Sequence, residues 1–313
     1  MQLTIMKKLF YPLIILSFLS GAVFQGSIAL KEQSNITQQQ LNEQSLLGIN
    51  WVQQSGEYRA LAYQAFNVAK IAFDSAKSQN IPNPAVIVDL DETVLDNSPY
   101  QASLIGTDEG FNSKSWNQWI LAEETLAVPG AVEFINYVNA KGGKVFFVSN
   151  RGESSTKDTN NNDLEMATMR NMEKLGFKGV NEETLLLKGE FTKDGDTAKQ
   201  WRMEAVTNGQ ADGVKYNVVI FMGDNLNDFS EINENSNKIR KEFVDRTETQ
   251  YGLLSFSSEG FQPAYVALPN PMYGYWENGL YDAKRFGKNS IWDLTPEQKT
   301  ILRKESLIKW NNR

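Results

Sequence analysis

The chain has 313 residues, 41% hydrophobic and 22% charged, enough for one sizeable globular domain with no long low-complexity tract. It contains no histidine and no cysteine, which excludes Ser-His-Asp and Cys-His nucleophilic systems, phosphohistidine chemistry, thiolate phosphatases, disulfides and His-ligated zinc. A formal net charge of -7 argues against a nucleic-acid partner, and any hydrolytic chemistry must fall to carboxylates.

The amino terminus reads as an export signal over 1–29. Lys7 and Lys8 precede an apolar run at 9–24, and Ser27-Ile28-Ala29 offers small residues for cleavage after Ala29. The run is shorter than the ~20 residues a spanning helix needs. The expectation is a periplasmic, cell-surface or secreted protein with no membrane partner beyond the signal. Lacking Cys, it has no acylation point for a lipoprotein and must be held together by core packing, to which a bound ion can add.

From residue 30 to 313 the chain reads as one domain. Residues 31–44 are polar and Gln/Asn-rich, a frayed lead-in. Over 44–77, Trp51, Tyr58, Ala62, Phe66, Ala69 and Phe73 recur at helical spacing and predict two helices broken near Ser55-Gly56, a support spanning 30–80. Its aromatics read as core.

Next comes Ala85-Val86-Ile87-Val88, a β-branched run behind Pro82 and Pro84, which predicts a short buried strand. Further apolar runs at 145–148, 185–187, 218–221 and 265–268 alternate with helical patterns near 130–141, 160–175, 196–208 and 235–249. Such alternation predicts an α/β fold, a mostly parallel sheet flanked by helices, with its core over 84–268. Residues 101–125, carrying Trp116 and Trp119, read as a cap-like insert, and 269–313 as a carboxy-terminal tail that is short, helical and peripheral beyond Gly287.

In open α/β sheets, ligands gather beyond the carboxyl ends of the strands. The first run ends in Asp89-Leu90-Asp91-Glu92-Thr93, the second in Ser149-Asn150-Arg151, and the fourth in Gly223-Asp224-Asn225-Leu226-Asn227-Asp228. The third is followed, past a polar segment, by Lys193 or Lys199. Each motif alone is weak. D-x-D-x-T also opens calcium loops, although here no Gly sits at the sixth loop position and a β-run precedes it. Asp224 alone suits a helix N-cap, and a single lysine is usually a surface charge.

Together, in order and each after a strand, these groups suit phosphoryl transfer. A carboxylate can attack phosphorus and split one hard displacement into two easier ones. Clustered carboxylates favour a divalent cation, Mg²⁺ above all, which offsets the repulsion between anionic nucleophile and anionic substrate. A lysine neutralises developing charge, and a second carboxylate can protonate the leaving oxygen and then activate water.

These motifs, with Leu41-Asn42-Glu43-Gln44-Ser45, Ser55-Gly56-Glu57-Tyr58-Arg59-Ala60 and Pro269-Asn270-Pro271-Met272-Tyr273-Gly274-Tyr275-Trp276, resemble the haloacid dehalogenase superfamily. Within it, the chain is similar to the bacterial class C acid phosphatases, the four-aspartate group related to an outer-membrane lipoprotein 5'-nucleotidase. The resemblance implies a Mg²⁺-dependent phosphomonoesterase acting on small esters such as nucleoside 5'-monophosphates and aryl phosphates. It implies Asp89 as nucleophile and Asp91 as general acid/base, with the Asp91 carbonyl also on the metal. Asp224 would ligate Mg²⁺ and Asp228 orient that shell.

Asn150 matches a phosphoryl contact, with Arg151 beside it as a second substrate residue. Lys199, in Thr197-Ala198-Lys199, resembles the charge-neutralising lysine, and Lys193 stays open as an alternative. Trp116 and Tyr273 match positions that sandwich a nucleoside base in relatives. The chain departs from relatives in its missing acylation Cys and in a longer segment at 189–196. A non-catalytic haem- or ligand-binding protein and a phosphotyrosine phosphatase or phosphotransferase are the other readings, the first weakened by the lack of His and Cys.

Overall fold

The computed structural model describes residues 35–156, 161–230, 232, 236–258 and 260–310. The expected signal at 1–29 lies outside the described residues. Among the described residues, no helix is long and apolar enough to cross a membrane.

The described chain enters through helices α1 (Gln38–Asn42), α2 (Leu46–Gln54) and α3 (Gly56–Ser78). Strand β1 (Pro84–Val88) follows, then β2 (Leu95–Asp96), α4 (Ser98–Ser103), α5 (Ser113–Ala122) and β3 (Leu126–Ala127). Helix and strand then alternate as α6 (Ala131–Ala140), β4 (Lys144–Gly152), α7 (Asp163–Leu175), β5 (Leu185–Phe191), α8 (Lys199–Asn208), β6 (Asn217–Gly223) and α9 (Asn237–Arg246). The antiparallel pair β7 (Ser255–Ser257) and β8 (Gly260–Gln262) precedes β9 (Ala264–Ala267), α10 (Tyr275–Asn278) and α11 (Pro296–Glu305).

All five expected apolar runs become strands of one sheet, ordered β5-β4-β1-β6-β9, in which every neighbouring pair is parallel. The alternation of side chains along a strand explains the packing. Val86 and Val88 face one layer, with Phe66 and Phe73 of α3, Phe134 and Ile135 of α6 and Met172 of α7. Ala85 and Ile87 face the other, with Val206 of α8. Because both faces are covered, β1 is buried throughout, which is why its sequence is continuously apolar and does not alternate.

Helix α3 begins where expected: Ser55 caps it, accepting the Tyr58 N–H at 3.0 Å, and Ala62, Phe66, Ala69, Phe73 and Ala76 form its buried stripe. The lead-in differs from the expectation of fraying. Thr37 and Gln40 form a capping box around α1, Leu41 is buried, and the Asn42 amide donates to the carbonyls of Leu104, Thr107 and Glu109 at 2.9–3.0 Å. Polar side chains spent on backbone carbonyls hold this segment, so its Gln/Asn content signals anchoring.

The segment between β1 and α6 hangs from an antiparallel stem in which Leu95 pairs with Ala127 and Asp96 with Leu126, and it carries α4 and α5. The tail is not peripheral. Leu302 of α11 packs with Ala283 and Leu294, while Gln44 donates to the Thr300 hydroxyl at 2.8 Å and accepts from Arg303 at 2.9 Å. The last described helix thus clamps the first.

Candidate active site

The carboxyl ends of β1, β4 and β6 meet at one rim. At the end of β1, the Asp89 N–H donates to the Met222 carbonyl at 2.9 Å, extending the ladder to β6 by one bond. That fixes the Asp89 backbone before its side chain is considered. The Thr93 hydroxyl donates to Asp89 Oδ2 at 3.3 Å and accepts the Asp224 N–H at 3.1 Å. One hydroxyl therefore ties the loop after β1 to the loop after β6, a physical reason for the threonine of D-x-D-x-T.

Lys199, the first residue of α8, bridges two carboxylates: its ammonium donates to Asp89 Oδ1 and, at 2.6 Å, to Asp228 Oδ1. All three groups are buried. Asp228 Oδ2 accepts the Asn225 N–H at 3.0 Å, and Asn270 donates to Asp224 Oδ2 at 2.8 Å. Gly223 makes room for this turn, since a Cβ there would lie 2.1 Å from Asp228 Oδ2. From α9, Arg240 steadies the same turn through Asn225 at 2.8 Å and Asn227 at 3.1 Å.

Oxygens of Asp89, Asp224 and Asp228 lie within 4.8 Å of one another. Burial pushes the Asp89 carboxyl up to about 7; Asp228 and Asp91 push the same way, while Lys199 opposes them. Burial, with Asp228 and Asp89, also drives Asp224 well above the carboxylate range. Although burial disfavours its charge, Lys199 is held above the ordinary lysine range by Asp228 and Asp89. One ammonium among three carboxylates leaves the cluster short of positive charge. An all-oxygen donor set of this kind fits a hard divalent cation.

The Asp91 carboxylate lies outside that cluster. Arg151 grips it, with Nε 2.9 Å and Nη2 2.7 Å from Oδ1, while Oδ2 takes only a 3.2 Å contact from Nε. Arg151 also donates to Thr168 at 3.1 Å and Asn97 at 3.3 Å. The fully buried Asn97 donates to Asp91 at 2.9 Å and accepts the Trp119 indole N–H at 2.8 Å, linking α5 to the loop after β1. Glu92, at a left-handed φ of 60°, accepts the Asn97 N–H at 2.9 Å and the Tyr273 hydroxyl.

Each expected site residue can now be located. Asp89, Asp91, Asn150, Arg151, Lys199, Asp224, Asp228, Trp116 and Tyr273 all line one cleft of about 530 Å³. One differs from expectation in what it does there. The Arg151 side chain, expected to meet substrate, is turned onto Asp91 and is buried, because the guanidinium fork fits a carboxylate. Asp91, expected to meet a metal through its backbone carbonyl, keeps its carboxylate outside the candidate metal cluster. Of the two lysines left open by the sequence, Lys199 reaches the carboxylates, whereas Lys193 lies over the Trp201 ring, 4.7 Å from its centroid. Trp116 packs edge-on against Tyr100 with ring centroids 5.0 Å apart.

Sequence reasoning missed Arg202. It lies three residues after Lys199 on α8, and the two therefore share a helix face. The side chain is fully buried with no carboxylate ion pair among the described residues; it donates to the Ser149 carbonyl, to Asn150 Oδ1 at 3.1 Å and to the Thr197 carbonyl at 3.1 Å. Burial lowers its pKa to about 10. Asn150 lines the cleft, and with its Oδ1 engaged by Arg202 the amide group left to it is the Nδ2 donor, the polarity a phosphoryl oxygen requires. No sequence motif marks such a residue; only its spacing from Lys199 hints at it.

A parallel sheet with this carboxylate-lysine rim defines a phosphatase of the haloacid dehalogenase type. The model of the HAD superfamily, subfamily IIIB (acid phosphatase), matches residues 20–276, and the chain belongs to that family. It is similar to the solved class C acid phosphatase from Bacillus anthracis: 32% identity over 87% of this chain and 99% of that chain, with a TM-score of 0.70. The same figures hold for that enzyme with tungstate bound. The chain is thus a class C acid phosphatase, a phosphomonoesterase, and the non-catalytic alternative is set aside.

Arg202→Met and Asn150→Ala should each lower kcat/KM for an aryl phosphate by about tenfold or more, and the double variant by much less than the product of the two. Fully multiplicative losses in variants with unchanged melting temperature would contradict the orienting role.

Proposed function

We propose that the chain is an exported, Mg²⁺-dependent phosphatase that hydrolyses nucleoside 5'-monophosphates and other small phosphate esters through a phosphoryl group carried on Asp89. The observation that carries this reading is the Lys199 ammonium held between Asp89 and Asp228, with Asp224 alongside. In the first step a carboxylate oxygen of Asp89 forms a bond to phosphorus, and the bond from phosphorus to the leaving oxygen breaks. Asp91 delivers a proton to that oxygen; its Oδ2, the less occupied atom, suits the role. In the second step Asp91 takes a proton from water as the water oxygen attacks phosphorus, and Asp89 is released with inorganic phosphate.

Asn150 Nδ2 orients a phosphoryl oxygen, and Lys199 offsets charge gathering on the transferring group. Asp89, Asp224 and Asp228, with the Asp91 backbone carbonyl, would hold Mg²⁺, which supplies positive charge against the phosphoryl oxygens when bound. The reading for nucleotides rests on Trp116 and Tyr273, both in the cleft wall, where aromatic faces accept any base. Export rests on the sequence pattern at 1–29. A phosphotransferase would share every group named here and differ only in accepting an alcohol in place of water.

Asp89→Asn should lower kcat for an aryl phosphate by on the order of 10⁴-fold; near-normal turnover would refute the nucleophile assignment. Chelation should silence the wild-type enzyme and added Mg²⁺ restore it, whereas chelator-resistant activity would argue against a metal.

A further inference from the structure

The cleft extends past the carboxylates to a wall supplied by the carboxy-terminal part of the chain. That wall includes Tyr281, Trp292 on the short turn Ile291–Asp293, and Lys299 in the first turn of α11. Trp292 is 73% exposed, an indole left in water at the mouth of a cleft. Large exposed aromatics beside a pocket mark contact surface more often than packing. The Lys299 ammonium lies 5.8 Å from the Tyr281 ring centroid and 5.9 Å from that of Trp292.

Three cations line the cleft among the described residues, and two are spent. Lys199 is paired with Asp89 and Asp228, and Arg151 with Asp91. Lys299 has no ion pair among the described residues. Glu277, the acid whose charge acts on it, is engaged by Arg303 at 2.5 Å and by the Tyr281 hydroxyl. Lys299 is also partly buried, and burial holds its pKa below the usual lysine range. A desolvated cation with no acid of its own gains most from an incoming anion. On a chain of net charge -7, a cation at the cleft mouth also favours local capture of anionic substrates.

We propose that Lys299, flanked by Trp292 and Tyr281, forms a leaving-group subsite that favours phosphate esters whose alcohol carries a second anionic group, such as a second phosphate. The inference rests on phosphoryl transfer occurring at Asp89. The two aromatic rings cover the less polar body of the leaving group, and the ammonium meets its distal charge.

The test compares kcat/KM for a nucleoside 5'-monophosphate, the matching 3',5'-bisphosphate and an aryl phosphate in wild type, Lys299→Gln and Lys299→Arg. The wild type should prefer the bisphosphate. Lys299→Gln should lose that preference by about fivefold, Lys299→Arg should keep it, added salt should erode it, and aryl phosphate turnover should stay unchanged in all three. A preference that is absent in wild type or unaltered in Lys299→Gln, with aryl turnover intact, overturns the subsite alone. Wild-type protein that fails on the aryl phosphate counts instead against the proposed reaction.

Discussion

Three carboxylates, two of them buried, share a rim at the ends of β1 and β6, and the ammonium of Lys199 between Asp89 and Asp228 is what lets them do so. With oxygens within 4.8 Å of one another, each charged pair repels by at least about 3.5 kcal/mol at an effective dielectric constant of about 20. Left alone, such a cluster would protonate or open. Burial first, and that repulsion after it, raise the pKa values of Asp89 and Asp224, while Asp228 and Asp89 hold that of Lys199 up against its own burial. A phosphatase needs the anionic form of its nucleophile, so the site is built to demand more positive charge. Substrate-side donors and a cation held by the aspartate cluster would answer that demand.

The surrounding structure serves to keep these charges in register. Asp89 is fixed by the strand ladder, Asp228 by the absence of a side chain at Gly223, and the two loops by the Thr93 hydroxyl between them. Helix α8 carries two cations with separate duties, Lys199 toward the carboxylates and Arg202 toward Asn150. A second network runs from Asp91 through Arg151 and Asn97 to Trp119, so the helix beyond the β2–β3 stem is linked through Asn97 to Asp91, the residue proposed to move protons. Movement of that helix would be felt at Asp91 directly.

Much of this was legible in the sequence for a simple reason. Strands buried on both faces must be continuously apolar, and residues 85–88, 145–148 and 218–221 carry that mark. Chemistry at strand ends then follows in the chain as short polar motifs, which is how all four aspartates and Asn150 could be named. Other parts left no local trace. The two-residue strands β2 and β3 are too short for any period, and β4 runs to Gly152 through the polar Ser149-Asn150-Arg151. Whether Lys193 or Lys199 enters the site depends on where α8 begins. The tail was underread because its partners, Gln44 for Thr300 and Arg303, lie far away in the chain. Arg202 and Asn97 act through atoms that only the folded geometry brings together.

The central claim is that Asp89 becomes covalently phosphorylated while the other carboxylates and Lys199 manage charge and protons. Acid quenching of the enzyme during turnover of an aryl phosphate, followed by proteolysis and mass spectrometry, addresses it most directly. The expected result is a phosphoryl group on the peptide containing Val88-Asp89-Leu90-Asp91, sensitive to hydroxylamine and absent in Asp89→Asn. A stable phosphoryl group on any other residue, or trapped label that persists in Asp89→Asn, would contradict the account.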